Sequence, residues 1–400
     1  MSGVICLHAF RHSLYNKSAG SDVLTKQKGQ AMAERLRVGV IGRTGKGSYG
    51  HGIDSVWADL PETEVVAVAD EHEAGRRDAQ KRTKAASAYA DYREMLDKER
   101  LQIVAIGPRW IDQHRDMAIA AAEHGCHIYM EKPFVPTPRQ ADEVIRACEM
   151  RHTKLALAHQ THYSSTAFLA RKMIADGEIG DILELRGRGK EDQRGGGEDL
   201  WVLGSHVLDL MRFFCGDAVD CFATVSQGGQ PVAAAHVVEG NEGVGPLAGD
   251  AIHARYTFSK GVIGSFSSVR GKGGTPSRFG LQIFGSKGVI EIGTGFPAPT
   301  WILKDAGWSP GRSGANWLQI TSNGLGKPET IKDGGLHLGN VAAVKDLLES
   351  IQKDRQPGCS MYDGRAIVEM INAVFASHCA GQPVKLPLAD RGNAFAALKT

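Results

Sequence analysis

The chain has 400 residues, 42% hydrophobic and 23% charged, enough material for two domains with sizeable cores. A formal net charge of +2, with both signs mixed along the chain, offers no basic stripe for nucleic acid or an anionic membrane surface, and no run nears the roughly 18 consecutive apolar residues of a membrane span. Seven cysteines, odd in number and scattered from Cys6 to Cys379 without a C-x-x-C pair, read as reduced thiols of a cytoplasmic protein and leave no metal site in view.

Residues 1–35 carry one short apolar patch and then Arg, Lys, Ser and Gly, too little apolar length for a secretory signal. They are expected to be a disordered tail or an over-called start, with Met32 as a natural beginning. From Leu36 the run Leu-Arg-Val-Gly-Val-Ile suits a strand buried on both faces, and a glycine-rich turn follows. A helix over 53–60 would complete the strand, turn and helix that present backbone N–H groups and a helix N-terminus to a pyrophosphate. Against G-x-G-x-x-G, Gly42 and Gly47 fit, Thr44 stands at the middle glycine and Gly45 is displaced by one. A glycine-rich surface turn leaves the same trace, so the neighbours must decide. A second apolar run over 64–69 ends on Asp70, where an acid accepts the adenosine ribose hydroxyls and repels a 2′-phosphate, favouring NAD. Arg43, Arg76 and Arg77 keep NADP open.

Helices expected over 73–86, 92–98, 113–124 and 137–151 alternate with strands over 102–106, 127–130 and 154–158. That alternation predicts an α/β fold whose N-terminal domain, residues 36–158, is a Rossmann domain with a doubly wound parallel sheet and ligands at the carboxyl ends of its strands. Gly42, Asp70, Pro108 with Arg109, and Glu131 with Lys132 all occupy such ends. Beyond residue 159 the texture changes. A helix over 166–176 and a strand over 182–187 precede a polar stretch, and strands over 219–226, 251–258, 262–269, 279–284 and 289–292 follow without intervening helices. They predict a C-terminal α/β domain, residues 159–400, with a mainly antiparallel sheet. Residues 228–249 read as a surface loop or a mobile lid, and helices over 339–353 and 363–380 are expected to pack back on the first domain.

These residues carry a family resemblance over about 350 positions, from Leu36 to Pro387. The glycine turn, Pro108-Arg109 with His114 in the place of T-P-N-x-x-H, the triplet Glu131-Lys132-Pro133, Gly204-Ser-His206-Val-Leu-Asp209 in the place of G-x-H-x-x-D, and the closing Gly381-Gln-Pro-Val-Lys-Leu-Pro387 resemble the glucose-fructose oxidoreductase, inositol dehydrogenase and rhizopine-catabolism (Gfo/Idh/MocA) family. The resemblance implies NAD or NADP between two domains, an open sheet in residues 159–400 that serves substrate binding and oligomerisation, and Lys132 near nicotinamide and substrate. It also implies a cis Lys132–Pro133 bond, cofactor contacts from Gly42, Arg43, Thr44, Gly45, Gly47, Asp70, Pro108, Arg109, His114, Glu131 and Lys132, and a homo-oligomer.

Taking hydride from a secondary alcohol needs a base for the hydroxyl proton and a positive group for the developing alkoxide. Lys132 and His206 are the candidates, with Asp209 either orienting a neighbour or holding its helix. A free lysine, with a pKa of about 10.4, is a poor base at neutral pH, and desolvation would correct this. Family dehydrogenases often carry an aspartate four residues before the histidine, and here that residue is Val202. Glu191, Asp192, Glu198 or Asp199 could substitute, and His159 and His162 could line the same cleft. The expected function is NAD(P)-dependent oxidation of a sugar, cyclitol or derivative. Alternatives are a lyase or glycosidase-like enzyme using bound NAD for transient oxidation, and a non-catalytic nucleotide-binding sensor or assembly subunit.

Overall fold

Val38, Val40 and Ile41 are wholly buried in β1 (Leu36–Ile41), as a strand covered on both faces requires. In the computed structural model, which describes residues 35–332 and 334–395, β1 lies inside a six-stranded parallel sheet with β2 (Thr63–Ala69), β3 (Ser87–Tyr89), β4 (Ile103–Ile106), β5 (His127–Met130) and β6 (Leu155–Leu157). Their spatial order is β3-β2-β1-β4-β5-β6, so the crevice between β1 and β4 is the point where the winding reverses. The described residues belong to one compact unit, and apart from Arg35 the expected tail over 1–35 lies outside them.

Helices α1 (Glu73–Thr83), α2 (Tyr92–Lys98), α3 (His114–Glu123) and α4 (Pro138–Met150) connect these strands. Local chemistry sets their starts: Asp91 accepts from the Arg93 amide, and Thr137 accepts from the Gln140 amide with Pro138 in the first turn. The helix expected over 53–60 is a correction. Only a 3₁₀ turn, Val56–Asp59, forms there. Gly47, Gly50 and Gly52 all have positive φ, and a Cβ on Gly50 would lie 2.5 Å from the Gly107 carbonyl oxygen. The chain therefore winds tightly over the ends of β4 and β5 before any helical ladder can begin.

α5 (Ser165–Ala175) leads into a sheet of eleven strands. Its main path runs from β14 (Trp317–Thr321) through β13 (Thr300–Leu303), β12 (Gly288–Gly293), β11 (Gly280–Gly285), β7 (Ile182–Arg188), β10 (Ile263–Val269) and β9 (Ala251–Phe258) to β8 (Ala218–Gln227). All neighbours on this path are antiparallel except β7 and β10. Burial alternates along β9, so one face meets helices and the other is open.

The closing helices α8 (Leu336–Gln352) and α9 (Met361–Ala380) reach back to the nucleotide sheet. A Cβ on Gly364 of α9 would come within 2.4 Å of Leu157 and 2.9 Å of Phe134. Gly364→Ala is therefore expected to destabilise the protein by about 1–3 kcal/mol through overpacking, read as a lowered midpoint in thermal or urea unfolding. The segment 228–249 is tethered: Val238–Glu239 pairs with Pro246–Leu247, Val244 is fully buried, and the Asn393 side chain donates to the Pro246 carbonyl at 3.1 Å.

Candidate active site at the carboxyl ends of the parallel strands

Lys132 follows β5 directly, and its peptide bond to Pro133 is cis. The side chain is 5% exposed, and Nζ donates at 2.9 Å to the main-chain carbonyl of Val202, the position where the sequence lacks an aspartate. Burial lowers the Lys132 pKa, opposed by Glu131 and Glu242 and helped by Arg109 and Arg194. Glu131 is fully buried, and its carboxylate accepts from the Lys132 amide at 2.8 Å, from the His51 amide at 3.0 Å and from the His51 ring. Burial pushes Glu131 up, but the His51 contact and the Lys132 charge outweigh it, leaving a pKa of about 2. Asn340 donates to the His51 carbonyl at 2.9 Å, so α8 braces the glycine turn from the far side.

His206 lies in the first turn of α7 (Gly204–Cys215), which follows directly on α6 (Gly197–Val202). Its ring meets that of His159 edge to face, centroids 5.1 Å apart, and the Nδ1 atoms of both rings are sealed from solvent without a hydrogen-bond partner among the described residues. Burial, then the Lys132 charge, then His159, hold His206 well below the ordinary histidine range. Burial likewise takes His159 down to about 4. Two neutral imidazoles and a buried lysine thus lie close together, each destabilised in its charged form.

A pH dependence follows for His159. Its folded pKa of about 4 lies below the ordinary 6.5, so the unfolded chain binds the extra proton between these values. The contribution is complete above pH 6.5 and is lost as pH falls toward 4, by about 3 kcal/mol in all. His162 is shifted upward and its stabilisation is lost above pH 6.5, outside this window. Urea unfolding at pH 7 and pH 4.5 should show a smaller loss for His159→Asn than for the parent.

Asp209 is engaged by His162 and not by His206 among the described residues. Both its oxygens meet His162 Nδ1 at 3.1 Å, and Cys359 Sγ approaches at 3.8 Å. Burial opposes ionisation of both partners, but their mutual attraction wins, raising His162 and lowering Asp209. These three side chains could in principle hold a metal ion, yet their atoms already satisfy one another.

The candidates for the absent aspartate are engaged elsewhere. Glu191 accepts from Arg188, Arg278 and the Val269 amide, and Asp192 pairs with Arg194. Glu198 accepts from Asn241, and Asp199 accepts from the amides of Lys190 and Glu191 and from Ser268.

On the nucleotide side, a cleft of about 250 Å³ lies over the ends of β1 and β2, lined by Gly42, Arg43, Asp70, Glu71, Tyr92 and Met117 among others. The Asp70 carboxylate borders it while accepting from the Thr44 amide and hydroxyl and the His72 amide. The amides of Gly45, Gly47 and Tyr49 have no protein acceptor among the described residues, and open space surrounds the missing Cβ of Gly45. Gly47 is needed for close approach, since a Cβ there would lie 2.5 Å from the Arg109 amide nitrogen. The Arg109 side chain, half-buried, has no ion pair among the described residues. Arg43 is clamped to Asp112 at 2.8 and 2.9 Å, Arg76 to the Asp70 carbonyl at 2.7 Å, and Arg77 to Glu73. His114, expected among the cofactor contacts, is fully buried with Nε2 on the Pro108 carbonyl at 2.7 Å and Nδ1 on those of Phe134 and Pro133. It lies between the loops bearing Arg109 and Lys132, and in the neutral form that burial favours its one ring N–H donates to a carbonyl of one of them.

Residues outside the expected set are His51, which engages Glu131, and Arg194 and Glu242, whose charges act on Lys132. Only the spacing of His51 within the glycine turn offered a signal. Arg194 and Glu242 lie in polar, glycine-bearing stretches with no periodicity to fix their direction.

Residues 36–159 match the family model described as an oxidoreductase family with an NAD-binding Rossmann fold, and residues 169–291 match a GFO/IDH/MocA C-terminal domain. Levoglucosan dehydrogenase of Pseudarthrobacter phenanthrenivorans is 27% identical over 256 residues, 58% of this chain and 65% of that protein. Glycosyl hydrolase family 109 protein 1 of Bacteroides thetaiotaomicron is 28% identical over 163 residues, 38% of this chain and 34% of its own length. The matched region thus spans less than two thirds of either relative. A solved levoglucosan dehydrogenase in complex with NADH and L-sorbose superposes with a TM-score of 0.72 at 21% identity, covering 89% of this chain and all of that one, a likeness of fold. No helix among the described residues is long and apolar enough to cross a membrane.

Proposed function

Because this chain belongs to the Gfo/Idh/MocA oxidoreductase family, we propose that it transfers hydride between a secondary hydroxyl of a sugar, cyclitol or related polyol and a nicotinamide dinucleotide, preferably NAD. The observation that carries this reading is the convergence of buried Lys132 with neutral His206 and His159 at the carboxyl ends of the parallel strands. The residues present fit such a cofactor: the cleft beside Asp70 and Glu71 suits an adenosine, and the unclaimed amides of Gly45, Gly47 and Tyr49, with Arg109, suit its phosphates. Asp70 and Glu71 disfavour a 2′-phosphate, and Arg43, Arg76 and Arg77 are occupied by protein partners.

When bound, nicotinamide supplies the hydride acceptor. Lys132, its ammonium form disfavoured by burial, takes the hydroxyl proton as general base, while the Val202 carbonyl fixes Nζ in direction. His206 stays neutral and presents a ring nitrogen to the alcohol, and the His159 ring sets its orientation. Glu131, locked by His51, aligns the Lys132 backbone from behind. Residues 36–158 and 159–400 are the proposed nucleotide and substrate domains, in a homo-oligomer.

A second reading gains support from Val202. Its main-chain carbonyl accepts a hydrogen bond but does not ionise, so it offers Lys132 no route for passing a proton onward. A proton kept on Lys132 and returned suits a redox-neutral cycle of oxidation, elimination or hydrolysis, and re-reduction. A glycosyl hydrolase family 109 protein stands among the relatives. Incubating the purified protein with NAD⁺ and a panel of polyols and glycosides separates the readings. Absorbance of the reduced nicotinamide marks net oxidation, and product without that absorbance marks the redox-neutral cycle. Neither change across the panel would remove both.

A further inference from the structure

Lys46 stands at the tip of a closed turn. Arg43 and Ser48 bridge its base, the amide of each donating to the carbonyl of the other at 3.0 Å, and the Lys46 amide donates to the Arg43 carbonyl at 2.9 Å. Gly45 and Gly47, on either side of Lys46, have φ of 85° and 81°, and backbone of alternating handedness makes a concavity of N–H groups that receives anions. The amides of both glycines lack a protein acceptor among the described residues. The turn is pinned to the loop after β4. Gly47 lies against the Arg109 backbone, the Trp110 amide donates to the Lys46 carbonyl at 3.4 Å, and Lys46 Nζ sits over the Trp110 ring, 3.7 Å from its centroid. The turn therefore reaches from the end of β1 to the loop after β4, across the crevice where the winding reverses and where a dinucleotide lies in a fold of this kind.

Charge decides what this ammonium can serve. Asp112, two residues beyond Trp110, is taken by Arg43 at 2.8 and 2.9 Å. Lys46 and Arg109 have no carboxylate partner among the described residues, so two uncompensated cations meet at the turn. An aromatic face steadies an ammonium without neutralising it, as a carboxylate would. We infer that Lys46 is a cofactor-binding residue whose ammonium, held by Trp110, binds the diphosphate of the dinucleotide together with Arg109 and the amides of Gly45 and Gly47. One negative charge on each phosphate matches the two cations, and an ammonium on a phosphate oxygen makes a charge-assisted hydrogen bond. The inference deepens the proposed oxidoreductase reading and takes its cofactor from it, while the placement of Lys46 rests on the turn itself.

The test is calorimetric titration of the purified protein with ADP-ribose, which carries the diphosphate and lacks the nicotinamide. Lys46→Met keeps an apolar stem on Trp110 and removes the charge. It should weaken ADP-ribose binding by about tenfold or more at low salt. That loss should shrink to less than about threefold near 1 M NaCl, where charges are screened within about 3 Å. Lys46→Arg, which keeps the charge and also stacks on an aromatic ring, should bind within about threefold of the parent. Unfolding midpoints of both variants should match the parent. Unchanged ADP-ribose affinity in Lys46→Met would overturn the inference. So would a loss equal at both salt concentrations and not restored by arginine, the behaviour of a lysine that only packs on Trp110. A salt-dependent loss in a protein whose parent form oxidises no polyol would uphold Lys46 and sink the oxidoreductase reading. Polyol oxidation by a protein whose ADP-ribose affinity is indifferent to Lys46 would do the reverse.

Discussion

Lys132→Met is expected to lower kcat/KM for polyol oxidation by about 10²- to 10⁴-fold, the usual worth of a positioned acid or base. NADH affinity should change little. Methionine keeps most of the apolar stem, so the buried channel beside Val202 stays filled, while the group that accepts the hydroxyl proton is gone. Loss of kcat with KM nearly constant is the signature of an interaction made in the transition state. The parent enzyme should also show an acid limb in kcat/KM below the ordinary lysine value, because burial lowers the Lys132 pKa. That limb should vanish from the residual activity of the variant.

Asp209→Ala is expected to act through the fold. Asp209 is buried against His162, Cys359 and the charge of Arg212, and removing one member of a buried pair leaves the other uncompensated, at a cost of about 3–5 kcal/mol. Urea unfolding should report that loss. Residual activity measured well below the unfolding midpoint should fall far less than for Lys132→Met. A drop in kcat matching Lys132→Met, with unchanged stability, would return Asp209 to the chemistry.

The nucleotide half was readable because its strands announce themselves as apolar runs ending at chemistry-bearing residues. β1 ends before Gly42, β2 before Asp70, β4 before Pro108 and β5 before Glu131. β3 escaped because three half-buried residues give no period. The helix after the glycine turn failed because the turn continues through Gly50 and Gly52, whose positive φ and tight contacts keep the chain on the ends of β4 and β5. β13 and β14 lie among Gly, Pro and Ser, where four or five residues of strand leave little pattern.

Within the candidate site, Lys132 and His206 were legible from short motifs as partners in one site, and what holds Nζ was not, because it is a main-chain carbonyl, that of Val202, reached across 70 residues of chain. Asp209 was legible as a residue and ambiguous as a role. Its direction is set by His162, which lies on the turn just after β6.

The measurement that tests the central assignment most directly is a single turnover with stoichiometric NAD⁺ and a polyol carrying deuterium on the reacting carbinol carbon. The product nucleotide is isolated and weighed by mass spectrometry. Direct hydride transfer predicts one deuterium per nucleotide reduced, formed about 10²- to 10⁴-fold more slowly with Lys132→Met than with Lys132 intact. Reduced nucleotide free of deuterium, or an equal rate of labelling with and without Lys132, would contradict the assignment.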